Sequence, residues 1–132
     1  MPPHRHLVLI AEDDPTVREL LAEALEFFEM DVLSAANGDE ALRLLQPGSA
    51  PLPCVVLLDL LMPVMDGFEL ARRLRLDPAL RRVPLIVCTA TPEGQCTAAE
   101  ADLLIQKPFD LDQLARGVDR LCRVRATLRS SK

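Results

Sequence analysis

The sequence predicts an α/β fold in which five strands, each followed by a helix, form one parallel sheet. Three observations predict it. The run Val55-Val56-Leu57-Leu58 is apolar without alternation, as in a strand covered on both faces. Strand-length runs recur at residues 7–11, 31–35, 84–88 and 103–105, separated by longer stretches with helical spacing. Cap-type residues stand at the expected helix starts, at Asp14-Pro15, Asn37, Asp66 and Asp110. Strands alternating with helices pair in parallel through right-handed crossovers.

The elements follow in order. Leu7-Val8-Leu9-Ile10-Ala11 is the first strand. Asp14 then caps a helix, and Pro15 fits its first position. Val17, Leu20, Leu21, Ala24 and Phe28 give that helix an apolar face. Residues 31–35 form a short second strand. Asn37, with Glu40 three residues on, forms a capping box for a second helix ending near Gln46. Residues 47–53, with three prolines and a glycine, make a loop. The third strand covers 54–58, and Asp66-Gly67-Phe68-Glu69 opens a third helix reaching Leu76. Asp77-Pro78 makes a turn before a fourth strand at 84–88, where a leading proline is tolerated. A fifth strand at 103–105 precedes a long last helix capped by Asp110, with Leu111, Leu114, Val118, Leu121 and Leu128 on one face. Gly117 weakens that helix by about 1 kcal/mol relative to alanine. Five such units fit the flavodoxin-like three-layer (βα)5 sandwich with strand order 2-1-3-4-5.

Bulk properties bound the function. With 132 residues, 49% hydrophobic and 27% charged, the chain reads as one ordinary globular domain. No apolar run approaches the roughly 20 residues of a membrane span. The run after Met1-Pro2-Pro3-His4-Arg5-His6 is too short for a signal peptide, so a cytoplasmic location is expected. A net charge of −5 argues against a nucleic-acid-binding surface. The basic end, with Arg116, Arg120, Arg123, Arg125, Arg129 and Lys132 against Asp119, reads as a solvated helix face. Cys54, Cys88, Cys96 and Cys122 match no zinc spacing, and Cys54 and Cys88 read as small apolar strand residues. His4-Arg5-His6 reads as a frayed terminus rather than a metal site.

In strand order 2-1-3-4-5 the first and third strands are neighbours, so Glu12-Asp13 and Asp59 meet at the carboxyl edge where open α/β sheets bind ligands. Crowded carboxylates repel, and a divalent cation with a preference for oxygen relieves this. Glu12, Asp13 and Asp59 therefore read as a magnesium site, with Asp14 spent on the helix cap. A carboxylate beside magnesium can also attack phosphorus and form an aspartyl phosphate. Lys107 offers positive charge and Thr89 a hydroxyl for the transferring group.

These residues carry a resemblance. Glu12-Asp13-Asp14, the segment from Asp59 through Leu60-Leu61-Met62-Pro63-Val64-Met65-Asp66-Gly67, Thr89-Ala90 and Lys107-Pro108-Phe109 stand in order. The set resembles the receiver domain of bacterial two-component response regulators over residues 6–128, with 1–5 a disordered N-terminus and 129–132 a tail. The resemblance implies that Asp59 accepts phosphate from a sensor histidine kinase or a histidine phosphotransfer protein. It implies Mg2+ (or Mn2+) held by Asp13 directly, by Glu12 in the outer sphere, and by the backbone carbonyl of Leu61. Thr89 and Lys107 would bind the phosphoryl group and draw two loops inward, and the Lys107–Pro108 peptide would be cis. The implied product is a phosphorylation-controlled interaction module rather than a turnover enzyme. It would act on a downstream protein target as a monomer or phosphorylation-dependent homodimer, with no direct contact to nucleic acid or membrane.

The departures carry their own expectations. The aromatic switch position is Leu104, and the chain has neither Tyr nor Trp. A leucine can repack but cannot perform an aromatic rotamer swing. The stretch between Thr89 and Lys107 is short and holds Pro92 and Gly94, which predicts a short or irregular fourth helix on the family's usual output face. Apolar Leu61 beside the acceptor is expected to slow water and lengthen the life of the phosphoryl form. Three other readings compete. A haloacid-dehalogenase-type phosphatase would want an aspartate where Leu61 stands, and a flavodoxin-like cofactor binder a phosphate-cradling loop where the acidic triplet stands. The third is a pseudo-receiver that binds partners without phosphate. The chain reads as a stand-alone receiver, either a single-domain regulator or part of a larger one.

Overall fold

The computed structural model describes residues 6–48, 51–59, 67–89, 101–106 and 110–130; at 59, 67, 68, 89, 106 and 124–130 it describes the backbone alone. In chain order the elements are β1 (Leu7–Ala11), α1 (Pro15–Phe27), β2 (Asp31–Ala35), α2 (Gly38–Leu44), β3 (Val55–Asp59), α3 (Gly67–Leu76), β4 (Leu85–Thr89), β5 (Leu103–Gln106) and α4 (Leu111–Ser130). The strands form one sheet in the order β2-β1-β3-β4-β5, with every pairing parallel. The flavodoxin-like fold with a five-stranded parallel sheet in the order 2-1-3-4-5 is therefore as the sequence predicts, with four helices among the described residues. The stretch expected to hold a short fourth helix falls at 90–100, outside the described residues.

Alternate residues of the unbroken apolar strands serve two separate cores. Leu9, Ala11, Val56, Leu58, Leu85 and Val87 pack toward α2 and α3, with Leu70, Ala71 and Leu74 of α3. Val8, Ile10, Val55, Leu57, Ile86, Cys88 and Ile105 pack on the other face, against Leu21 and Leu25 of α1 and Leu114, Val118 and Cys122 of α4. A two-sided sheet needs apolar residues at every strand position, which is why these strands show no polar alternation.

Three of the four predicted caps are borne out, and the fourth, Asp66, lies outside the described residues. Oδ1 of Asp14 accepts the N–H of Thr16 at 2.9 Å and of Val17 at 3.2 Å. Oδ1 of Asn37 accepts the N–H of Glu40 at 2.8 Å, and Oδ1 of Asp110 accepts the N–H of Gln113 at 2.6 Å. The capping box at α2 differs in its second arm, since Oε1 of Glu40 accepts from Ala36 rather than from the cap residue itself, at 3.4 Å.

Three expectations need correcting. The buried stripe of α1 runs through Val17, Leu21 and Leu25, while Leu20 and Phe28 are exposed. The stripe follows one i, i+4 row, and a face drawn to include Leu20 and Phe28 is rotated off it. α1 then ends in a Schellman turn. The N–H of Met30 donates to the carbonyl of Leu25 at 3.1 Å, that of Glu29 to Glu26 at 2.9 Å, and Glu29 takes φ 65°. Second, His6 is not frayed, because its carbonyl accepts the N–H of Asp31 at 2.8 Å and its ring Nε2 bonds Oδ1 of Asp119 at 3.0 Å. Third, Cys54 stands just ahead of β3 rather than in it, half-buried, whereas Cys88 is a buried strand residue as expected.

The end of α3 and the start of β5 are tied by one carboxylate. Oδ2 of Asp102 accepts from Nη2 of Arg75 at 2.8 Å and from the N–H of Leu85 at 2.7 Å. Nη1 of Arg75 also donates to the carbonyls of Arg81 and Val83, so one guanidinium closes the turn that leads into β4. Among the described residues no helix is long and apolar enough to cross a membrane.

Candidate functional site

In a parallel sheet all five carboxyl ends face one edge, and the register decides which residues become neighbours there. Ala11 pairs with Leu58, Asp59 with Cys88, and Thr89 with Gln106. The backbone thus brings the Glu12 end of β1, Asp59 and Thr89 to consecutive strand ends, and Lys107 follows Gln106 in the chain. The side chains of Asp59 and Thr89, and all of Leu61, Lys107 and the Lys107–Pro108 bond, lie outside the described residues.

The three acids after β1 take three different environments. The N–H of Glu12 donates to the carbonyl of Ala35 at 3.0 Å, continuing the β1–β2 ladder past the strand. The Glu12 side chain is 4% exposed, the one buried charged side chain among the described residues, and its Oε2 accepts the N–H of Asp14 at 3.2 Å. Asp13 is exposed. Asp14 is committed to capping α1, as its following proline suggests. Pro15 cannot donate and fits the first helical position, so the cap serves Thr16 and Val17 and leaves Glu12 and Asp13 at the edge.

A residue passed over in the sequence holds this loop. Nη1 of Arg18 donates to the carbonyl of Glu12 at 2.8 Å and to that of Asp13 at 3.4 Å. Arg18 stands four residues after the cap Asp14, one helical turn on, which is the spacing that could have drawn attention to it. Its guanidinium fixes the backbone from which both acidic side chains project.

Leu104, the expected switch residue, is half-buried in β5, paired with Val87, and packed on the α2–α3 core. A side chain there couples to the sheet interior through packing alone.

Comparisons with known proteins agree with this geometry. The family model for the response regulator receiver domain matches residues 8–119. The chain is 34% identical over 129 residues to the DNA-binding dual master transcriptional regulator RpaA of Synechocystis, covering 92% of this chain and 48% of that protein. It is 35% identical over 129 residues to the phosphate regulon transcriptional regulatory protein PhoB of Rhizobium meliloti, covering 95% of this chain and 53% of that one. The chain thus spans about half the length of these curated relatives. Among solved structures, the signal receiver domain of a signal transduction histidine kinase from Syntrophus aciditrophicus superposes with TM-score 0.80 at 38% identity, covering 89% of this chain and 90% of that one. The response regulator TrrA of Thermotoga maritima, in complex with Mg2+ and beryllofluoride, superposes with TM-score 0.77 at 30% identity, covering 88% and 98%.

Proposed function

This chain belongs to the response regulator receiver domain family, and on that premise we propose that it is a phosphoacceptor switch in which Asp59 takes a phosphoryl group from a phosphohistidine donor. The observation that supports this reading is the strand register, which brings the Glu12 end, Asp59 and Thr89 to adjacent strand ends immediately before Lys107.

The donor set fits Mg2+. Glu12, Asp13 and Asp59 offer carboxylate oxygens, the hard ligands this ion prefers, and the buried carboxylate of Glu12 marks a place where a nearby cation lowers the cost of charge. The Thermotoga relative solved with Mg2+ supports the choice of ion. When bound, the ion supplies positive charge that lets the carboxylates and an incoming phosphoryl group share one site. Asp13, Asp59 and the carbonyl of Leu61 would hold it directly, and Glu12 from the outer sphere.

The chain's own residues do the rest. The Asp59 carboxylate attacks phosphorus in line as the donor imidazole departs, and an acyl phosphate forms. Lys107 neutralises one phosphoryl oxygen and the Thr89 hydroxyl donates to another. These contacts exist only with phosphate present, so they bias Thr89 and its loop toward one arrangement, and Leu104 repacks behind it. The output is a changed protein-binding surface, read by a downstream partner or a second copy, and the domain works as a switch in the cytoplasm rather than as a turnover enzyme.

Thermal melting with Mg2+ and beryllofluoride, a tetrahedral stand-in for the phosphoryl group, tests this. The two together should raise the melting temperature well beyond either alone, and Asp59→Asn should abolish the gain. No gain, or an equal one in Asp59→Asn, would favour a phosphate-independent binding module.

A further inference from the structure

The edge of the sheet opposite the acidic site carries a second cluster of metal-binding groups. His6 stands just before β1 and Cys54 just before β3, and these strands are neighbours. The N–H of Cys54 donates to the carbonyl of Leu7 at 2.8 Å, which locks the two starts side by side. Cys122 reaches the same place from α4, on the row that carries Leu114 and Val118 to the sheet. A ligand atom from each of His6, Cys54 and Cys122 lies within 4.8 Å of the other two.

We propose that His6, Cys54 and Cys122 form a binding site for a borderline-soft divalent ion, Zn2+, with Asp119 as the positioning residue for His6. The ligand set is one that zinc takes, two thiolates and an imidazole, with a water in the fourth position. Around a tetrahedral zinc with sulfur ligands at about 2.3 Å, neighbouring ligand atoms stand about 3.8 Å apart. The cluster therefore has to close by only about 1 Å to grip the ion. Oδ1 of Asp119 bonds Nε2 of His6 at 3.0 Å, which leaves Nδ1 to ligate, and its Oδ2 accepts from Nε of Arg123 at 2.8 Å. An imidazole held through its other nitrogen by a carboxylate is the usual support of a zinc-bound histidine.

Burial and charge agree with this assignment. Cys122 is 3% exposed, so water competes poorly there, while the His6 side chain is 23% exposed and leaves an entry path. Binding displaces the protons of both thiols, so two thiolates balance the ion's charge and the imidazole stays neutral. Magnesium, which takes oxygen ligands, has no claim on this cluster, and the two sites discriminate by ligand softness. An ion here would join the starts of β1 and β3 to α4 and stabilise the fold from the edge away from Asp59.

The test uses the reduced, metal-free chain in excess Mg2+, titrated with Co2+ as a spectroscopic substitute and then with Zn2+ in competition. The expected result is one equivalent of Co2+ with a thiolate-to-metal charge-transfer band that Zn2+ bleaches. Cys54→Ser should remove the band, His6→Gln should weaken binding at least about tenfold, and Asp119→Asn about 10- to 100-fold. Both His6 and Cys54 are half-buried outside the strands, so these variants keep the fold, which circular dichroism checks. No charge-transfer band in the wild type would overturn the proposal. So would a band that survives in both Cys54→Ser and His6→Gln, since it would place the ion elsewhere. Asp59→Asn should bind Co2+ as the wild type does, which keeps this result independent of the phosphoacceptor reading.

Discussion

Glu29 sits at the left-handed position that closes α1, with φ 65°. A side chain with a Cβ pays about 1–2 kcal/mol for that conformation, and glycine does not. Glycine has more freedom to lose on folding, which takes back about 0.4–1 kcal/mol. The hydrogen bonds of the turn come from the backbone, from Met30 to Leu25 and from Glu29 to Glu26, so replacing the side chain leaves them in place. The apolar contact that accompanies such turns is also kept, because Leu25 and Met30 share one buried cluster. Glu29→Gly should therefore stabilise the domain by about 0.5–1 kcal/mol, a rise of roughly 2–4 °C for a chain of this size. Glu29→Val, branched at Cβ, should go the other way by more than about 1 kcal/mol. Urea unfolding followed by circular dichroism measures both, with unchanged denaturant slope as the sign that only stability moved. A Glu29→Gly protein no more stable than wild type, or a Glu29→Val protein equal to it, would refute the reasoning.

Three further outcomes are expected. Arg18→Ala, which takes a charged donor from the carbonyls of Glu12 and Asp13, should cost about 1 kcal/mol by urea unfolding; no loss would mean the loop holds its shape unaided. A Cβ on Gly117 would stand 2.6 Å from Cδ2 of Leu103, which borders a cavity of about 250 Å³. Because Leu103 can swing into that space, Gly117→Ala should stay within about 1 kcal/mol of wild type, the helix gain offsetting the shift, whereas Gly117→Val should lose about 2 kcal/mol; equal stability of the valine variant would show that close approach is not why glycine stands there. Leu61→Asn should hasten loss of phosphate from Asp59, followed by intact mass over time, and an unchanged or slower decay would count against a water-excluding role for Leu61.

Much of the fold was legible because its causes are local. Unbroken apolar runs marked four of the five strands, β2 being the exception with Asp31 and Ser34, and Asp14, Asn37 and Asp110 marked three helix starts through their own side-chain bonds. Alternation of strand and helix then fixed a parallel sheet, and the sheet order brought Glu12-Asp13 and Asp59 to one edge. What the sequence hid is non-local. Val17, Leu21 and Leu25 define the buried row of α1 only once the sheet is there to pack on, and Leu20 or Phe28 is an equally apolar choice beforehand. His6 meets Asp119 across 113 residues of sequence, so the N-terminal segment looked frayed when read alone. Cys54 and Cys122 escaped attention for the same reason, because zinc spacings read along the chain find only ligands that are close in sequence. Gly117 looked like a weak point in a helix, and its reason, the approach of Leu103, belongs to another element.

The most direct test of the central reading is intact mass after incubation with acetyl phosphate and Mg2+, with Asp59→Asn treated in parallel. A single phosphoryl adduct on the wild-type chain, absent without the metal ion and absent from Asp59→Asn, is the result the account predicts. No adduct from acetyl phosphate or from a second small donor, or an adduct that persists in Asp59→Asn, would contradict it.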